Sequence, residues 1–402
     1  MLRLLHTADV HLGARHTDLG DQAAAQRERQ FAAFKAAVDL ALEERVDIFL
    51  IAGDLFDSNT QPRRSVERVA AELRRLAGAK IRTVLIPGTH DVYDRSSVYR
   101  VHDLAAMAGS GEDDDHVSVL TPDRPSVHLA ACDVVVHGPV FASKRAPHSP
   151  LRDLHVTPAD GATWNIALVH GSLAIPDRTD RDEVVFTREE IAASGLDYLA
   201  LGHWHSAEQG RAGGTTWAYA GAPEPVAVTQ DGAGKVLLVE LDEVNGARTV
   251  TVVERQVGKT RFEKVDLDAA AVGNQPAVVA AIAAKADPDL VLDVRLTGVR
   301  PDELDVSTDE IEERLRGSFL KLRVRDRSVP ALTPGTLPSP DTIPGAFIRN
   351  VEGRIAELEA TAPEARVSDA TAADDSSATE AAELRDVLRL GRLLLAGQEV
   401  TL

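Results

Sequence analysis

The sequence predicts an α/β protein whose functional site lies at the carboxyl ends of its strands. Three observations lead there. A short apolar run followed by a burst of Gly, Asp and His recurs five times in the first half of the chain. Segments with apolar residues at helical spacing separate these runs. The length of 402 residues exceeds a usual single core, so two domains with appendages are expected.

The apolar runs are residues 2–5, 48–52, 83–86, 166–169 and 198–201, and they lead into HTADVH, GDLFD, GTHD, HG and GHWH. Runs this short, bounded by Gly or polar turns, read as buried strands. Phe31, Phe34, Val38, Ala41 and Leu42 form one helical stripe between them, and Val66, Val69, Leu73 and Leu76 form another. Alternating strands and helices place ligand sites beyond the strand carboxyl ends, where the five polar bursts sit.

Beyond residue 215 the runs WAYAG, VLLVEL and RTVTVVE read as strands completing a first domain, 1–258. A small α/β cap is expected over 259–330, with helices at 276–286 and 309–315 and strands at 290–296 and 319–324. Residues 331–402 read as a linker and C-terminal helical tail. Five prolines between Pro330 and Pro344 mark the linker, and helices are expected at 346–360 and 380–395. Residues 363–378, rich in Ala, Ser, Thr and Asp, are expected to be disordered.

Composition narrows the function classes. With 44% apolar but only 4% aromatic residues, the cores must rest on Leu, Val, Ile and Ala. No stretch approaches the roughly 20 apolar residues that cross a bilayer, so no membrane association is expected. The N-terminus lacks a basic region with a small-residue cleavage site. The single Cys132 allows no intramolecular disulfide. These features predict a cytoplasmic protein. The net charge of −19 argues against nucleic-acid binding over the whole surface, leaving phosphate to metal cations and local basic patches.

The loops offer a consistent set of side chains. Asp9 and His11 are two residues apart after a strand, and extended backbone would point both to one side; His203 and His205 repeat the spacing. Asp54, His90 and His170 follow the other runs. All are types that bind first-row divalent metals. Two Asp and five of the 13 histidines exceed what one open metal site needs, so two ions are expected, clamping a phosphate at about 3.5–4 Å separation. Taken singly each motif has a bland reading: D-x-H arises by chance, GDLFD suits a turn with a helix N-cap, and GHWH suits a turn with an exposed aromatic. His6 and His137 read as hydrogen-bonded core residues, and His16, His102, His116, His128, His148 and His155 as surface or loop residues. In KLRVRDR, the cations Lys321, Arg323, Arg325 and Arg327 would share one strand face, either as a solvated edge or as a strip tracking phosphates.

As an ordered set over roughly the first 230 residues, these motifs resemble the calcineurin-like metallophosphoesterase signature. The wording LLHTADVHLG, IAGDLFDS, LIPGTHDVYD, YLALGHWH and YAGAPEP is similar to the SbcD and YhaO branch of DNA repair nucleases. The resemblance implies a four-layer α/β/β/α sandwich, two divalent metal ions (manganese expected), DNA as substrate and an SMC-like coiled-coil ATPase of SbcC type as partner. A homodimer is a further expectation. By position, Asp9, His11, Asp54 and His205 would hold one metal, and Asp54, His170 and His203 the other. His90 would be the catalytic histidine, with Asp57 either orienting it or acting as an N-cap. The family normally places Asn, a metal ligand, where this chain has Thr89, a poorer ligand that would weaken the second site. The apolar face of Leu384, Val387, Leu388, Leu390, Leu394 and Leu395 would pack on its own domain or dock on the partner's coiled coil. The rival functions are a phosphoesterase for small or mononucleotide substrates and a scaffold with an impaired second metal site.

Overall fold

The structure, a computed structural model, describes all residues except 112–115, 158–161, 178, 180–181, 228–229, 231, 301–303, 331–337, 362–379, 382, 389–390 and 392–402. The chain divides into two compact units, Met1–Phe262 with Asp289–Val291, and Glu263–Pro288 with Leu292–Leu402.

Among its described residues the first unit contains twelve principal strands. In chain order they are β1 (Leu2–Thr7), β2 (Ile48–Ala52), β3 (Arg82–Ile86), β4 (Val117–Val119), β5 (Ser126–Leu129), β6 (Val134–His137), β7 (Trp164–His170), β8 (Tyr198–Gly202), β9 (Glu208–Ala212), β10 (Thr215–Tyr219), β11 (Lys235–Val244) and β12 (Ala247–Gln256). One six-stranded sheet has the order β12-β11-β1-β2-β3-β4, and a second has β9-β10-β8-β7-β6-β5. In the first, β1 through β4 are parallel and the β11–β12 hairpin joins antiparallel to β1. In the second, β6, β7, β8 and β10 are parallel, with β5 and β9 antiparallel at the edges.

The five expected runs are the parallel centres of both sheets. β2 and β8 are buried at every position, so their sequences run apolar without alternation. Their two faces serve different cores. Leu4, Ile48, Leu50, Val84, Ile166, Leu168 and Ala200 pack in the core shared by the two sheets. Leu5, Phe49, Ile51 and Leu85 face outward onto α1 (Ala23–Glu44) and α2 (Arg63–Gly78), meeting Phe34, Val38, Val66, Val69, Leu73 and Leu76. On the far side, Val169, Leu199, Leu201, Trp217 and Tyr219 pack with Ile191 of α3 (Arg188–Ala193). Helix, sheet, sheet and helix therefore form four layers.

The second unit holds β13 (Arg261–Asp268), β14 (Asp287–Thr297) and β15 (Phe319–Asp326) in the order β13-β14-β15. Two helices accompany them, α4 (Gln275–Ala283) and α5 (Thr308–Arg314). Asn274 caps α4 by accepting from Ala277 N–H, and Ser307 caps α5 by accepting from Glu310 N–H. The strand β13 was not expected, because its alternation leaves none of its residues fully buried.

Other expectations need correction. Helix α6 (Ile343–Thr361) starts inside the proline-dense segment. Pro344 lies in its first turn, where the missing N–H costs nothing, and Thr342 Oγ1 accepts from Gly345 N–H at 3.2 Å. His16 lies in a loop as expected but is buried there, with Nδ1 3.0 Å from Val226 O and Nε2 2.8 Å from Gln30 Oε1. His6 is the expected core histidine, with Nδ1 2.9 Å from the Tyr198 hydroxyl. Of the helix expected at 380–395, residues 380, 381, 383–388 and 391 are helical. The segment expected to be disordered, 363–378, lies outside the described residues.

Candidate metal centre

The loops after β1 and β2 are joined by backbone hydrogen bonds. Asp9 N–H donates to Gly53 O at 3.1 Å, His11 N–H to Asp54 O at 2.9 Å, and Asp57 N–H to Leu12 O at 3.1 Å. This register sets the Asp9/His11 pair beside Asp54 and Asp57. The extended geometry expected for D-x-H and H-x-H is absent. Asp9, His11, Asp54 and His203 adopt positive φ values of 52°, 49°, 49° and 104°. Such left-handed backbone is strained for residues with a Cβ and is typically held by surrounding structure at functional sites. Consequently His203 and His205 diverge. The His203 ring meets His170 at 5.3 Å, whereas the His205 ring meets His11 at 5.0 Å.

Two glycines permit the close approach. A Cβ on Gly88 would collide with Asp54 Oδ1, and one on Gly53, at φ 88°, would collide with the His170 ring. Asp91 is fully buried and ties the loops together. Its carboxylate accepts from Gly88 N–H at 2.7 Å, Phe56 N–H at 3.1 Å and the Tyr99 hydroxyl at 2.5 Å. Asp91 is a site residue beyond those expected from the sequence, although its place beside His90 in GTHD was a signal.

At the centre lies Asp54. Its Oδ2 stands 3.1 Å from His170 Nε2 and 3.6 Å from His11 Nε2. Asp9 Oδ1 is 4.0 Å from His11 Nε2, 4.0 Å from His170 Nδ1 and 3.9 Å from His205 Nε2. Three groups of potential ligands result: Asp9–His11–His205, Asp9–Asp54–His170 and His11–Asp57–His90. His203 contributes its backbone N–H to Asp9 at 2.9 Å, and its ring lies outside these groups. Thr89, 7% exposed, lines a pocket together with His170.

Residues 2–207 match the family model described as calcineurin-like phosphoesterase. The chain belongs to that family. Among its relatives is the DNA double-strand break repair protein Mre11 of Aeropyrum pernix, 30% identical over 246 residues, or 60% of this chain and 58% of that protein. Mre11 of Halobacterium salinarum is 28% identical over 336 residues, covering 81% of this chain and 78% of that protein. The metallophosphoesterase YhaO of Bacillus subtilis is 24% identical over 212 residues, 51% of this chain and 48% of YhaO. The chain thus spans less than two thirds of the length of two of these three relatives.

The residues of this calcineurin-like chain suit divalent cations. Asp9 and Asp54 are buried, and among the described residues their charged partners are all histidines. His170 Nδ1–H donates to Ala52 O at 2.9 Å, which leaves Nε2 as the lone-pair atom. That atom and His11 Nε2 are buried without a well-oriented hydrogen bond. Buried polar atoms without partners are costly, and a metal would satisfy both. In the metal-free chain, protons take that part. Burial pushes the Asp9 carboxyl up to about 7. Burial opposes charge on His170, yet the adjacent Asp54 outweighs it and pushes the imidazole up to about 10. Burial favours neutral Asp54 too, but the His170 and His11 cations hold it well below the usual range. Burial lowers His203 and His205 to about 4, leaving them neutral and able to bind metal at physiological pH.

Asp57 departs from the N-cap role. Helix α2 is preceded by Pro62 at its N-cap, so Asp57 is no cap. Its Oδ1 lies 3.3 Å from His11 Nδ1 and 3.8 Å from His90 Nδ1, while its carbonyl oxygen lies 3.1 Å from His90 Nδ1. The carboxylate orients His11, and the backbone carbonyl orients His90.

Proposed function

We propose that this chain is a two-metal DNA nuclease subunit that hydrolyses phosphodiesters with manganese and works with an SMC-like coiled-coil ATPase of SbcC type. The observation carrying this reading is the place of Asp54, within 3.6 Å of imidazoles from both sheets, where it would help to hold both ions. The match to the repair protein Mre11 over 81% of the chain supports DNA as the substrate class.

In this reading Asp9, His11, Asp54 and His205 hold one ion, and Asp54, His170 and His203 the other, with Thr89 beside the second. The ions would supply Lewis acidity at the phosphate and a lowered pKa for attacking water. The chain's own residues do the rest. Ala52 O and Asp57 fix the orientations of His170 and His11. His90 is bound through Nδ1 to the Asp57 carbonyl, which leaves Nε2 for the substrate. Its 44% exposed side chain stands at the mouth of the site, suited to giving a proton to the leaving oxygen. In the second unit, the exposed Arg323 and Arg327 would contact the DNA backbone.

The test is hydrolysis of end-labelled linear duplex DNA and of mononucleotides by the manganese-loaded chain. Degradation of the duplex is expected. Turnover of mononucleotides alone would favour a small-substrate phosphoesterase, and metal binding without any turnover would favour a scaffold.

A further inference from the structure

We propose that the pocket beside the metal centre is a nucleoside subsite, where Phe141 stacks on the base adjoining the scissile phosphate and Lys144 meets a neighbouring phosphate. The inference rests on the phosphodiesterase reading above and adds the group that the site grips.

The pocket shares one wall with the candidate centre, formed by Thr89 and His170, and its other walls include Val140, Phe141, Lys144 and Val184. A phosphate at the centre would therefore direct one of its ester substituents into this pocket. The lining is mixed: the aromatic ring stands with Val140 and Val184 beside the polar groups of Thr89, Ser143 and Lys144, so a flat heterocycle would find both a ring face and hydrogen-bonding groups there.

Phe141 is unusual for this chain. Only 4% of the residues are aromatic, and Phe141 belongs to none of the three hydrophobic cores. It is half-buried, and the His148 ring braces it at 5.3 Å and 80°. The segment carrying it follows β6 directly. A Cβ on Gly138, between them, would collide with Ile86 and Leu120, so the segment is fixed close to the end of β3. A ring held in place without a core to fill is suited to stacking.

Lys144 adds charge at the rim. Its ammonium pairs with Glu183 at 3.6 Å, the lysine exposed and the glutamate half-buried. Surface pairs of this kind contribute little and exchange readily for another anion. Stacking tolerates any base, so the subsite would recognise nucleotides without reading sequence.

The manganese-loaded full chain supplies the test, with thymidine 5′-(p-nitrophenyl phosphate) and methyl p-nitrophenyl phosphate as substrates. Wild-type kcat/KM should favour the nucleoside ester, and Phe141→Ala should reduce that preference roughly tenfold through KM. Phe141→Trp should restore it. Thymidine 5′-monophosphate should quench the added indole beyond any change in wild type, by equilibrium titration without turnover. Lys144→Ala should lose the extra affinity of thymidine 3′,5′-bisphosphate over the monophosphate. An unchanged preference in Phe141→Ala, or no added quenching in Phe141→Trp, would overturn the subsite. If wild type hydrolyses neither ester, the phosphodiesterase reading fails by itself, and the quenching result alone decides the pocket.

Discussion

His170 Nε2 faces Asp54 Oδ2 at 3.1 Å, one residue closing a strand of the second sheet and the other following a strand of the first. Asp54 also approaches His11 at 3.6 Å, so a single carboxylate touches both halves of the candidate centre. Metal analysis of the manganese-loaded chain should give about two ions, and Asp54→Ala should lose most of both. One firmly bound ion with full activity would end the two-metal reading.

His90 should behave differently. It is bound through Asp57 O at 3.1 Å and remains 44% exposed. His90→Ala should keep the metal content and lose about 10²–10⁴-fold in turnover, the range expected for a general acid. Metal loss in this variant would make His90 a ligand, as its grouping with His11 and Asp57 also permits.

Strand centres, and the loops that carry the candidate ligands, were legible in the sequence for one physical reason. β2 and β8 are buried on both faces, so each stays apolar until the residue that turns out towards the site. The outer strands gave a weaker signal: β5 buries only Val127 and Leu129, two side chains at the edge of its sheet. The backbone of the site was not legible. Period-two reasoning made Asp9 and His11 extended, whereas contacts with the distant Gly53 and Asp54 hold both in left-handed conformations. No local pattern reports a constraint that comes from another loop.

Thr89 tests how far the second site depends on the family's asparagine. It is buried and lines the pocket beside His170. Thr89→Asn should tighten the weaker of two manganese-binding steps by about tenfold, equal to about 1.4 kcal/mol, in a calorimetric titration. Weaker binding would mean that the loop is built around threonine.

His6 carries a pH dependence separate from metal binding. Burial lowers its imidazole to about 3 from an ordinary 6.5. Above 6.5 it is neutral in both folded and unfolded chains and contributes no slope. Below 6.5 the unfolded chain binds a proton that the folded chain refuses, so stability falls with falling pH. The slope from this group approaches about 1.4 kcal/mol per pH unit between 6.5 and 3. His6→Gln should flatten denaturant-midpoint curves over pH 6 to 4.5, even though losing the imidazole bonded to Tyr198 lowers stability at neutral pH. Parallel curves for variant and wild type would place the acid sensitivity elsewhere.

The four cations of KLRVRDR do not act alike. Arg325 Nη2 donates to Asp293 Oδ2 at 2.6 Å on the neighbouring strand, which commits it to the fold of the second unit. Arg323 is exposed, and Arg327, also exposed, lies just past the end of β15. If these two contact DNA phosphates, replacing both with Ala should weaken binding and flatten the salt dependence by about 1.8 log units per log unit of salt. The loss should be alike for unrelated sequences, because backbone contacts carry no base information. Arg325→Ala should instead lower stability by about 1 kcal/mol, the upper end for a partly exposed pair. An unchanged salt slope in the double variant would make Arg323 and Arg327 an ordinary solvated edge. A loss confined to Arg325→Ala would show the pair with Asp293 acting through the shape of the second unit.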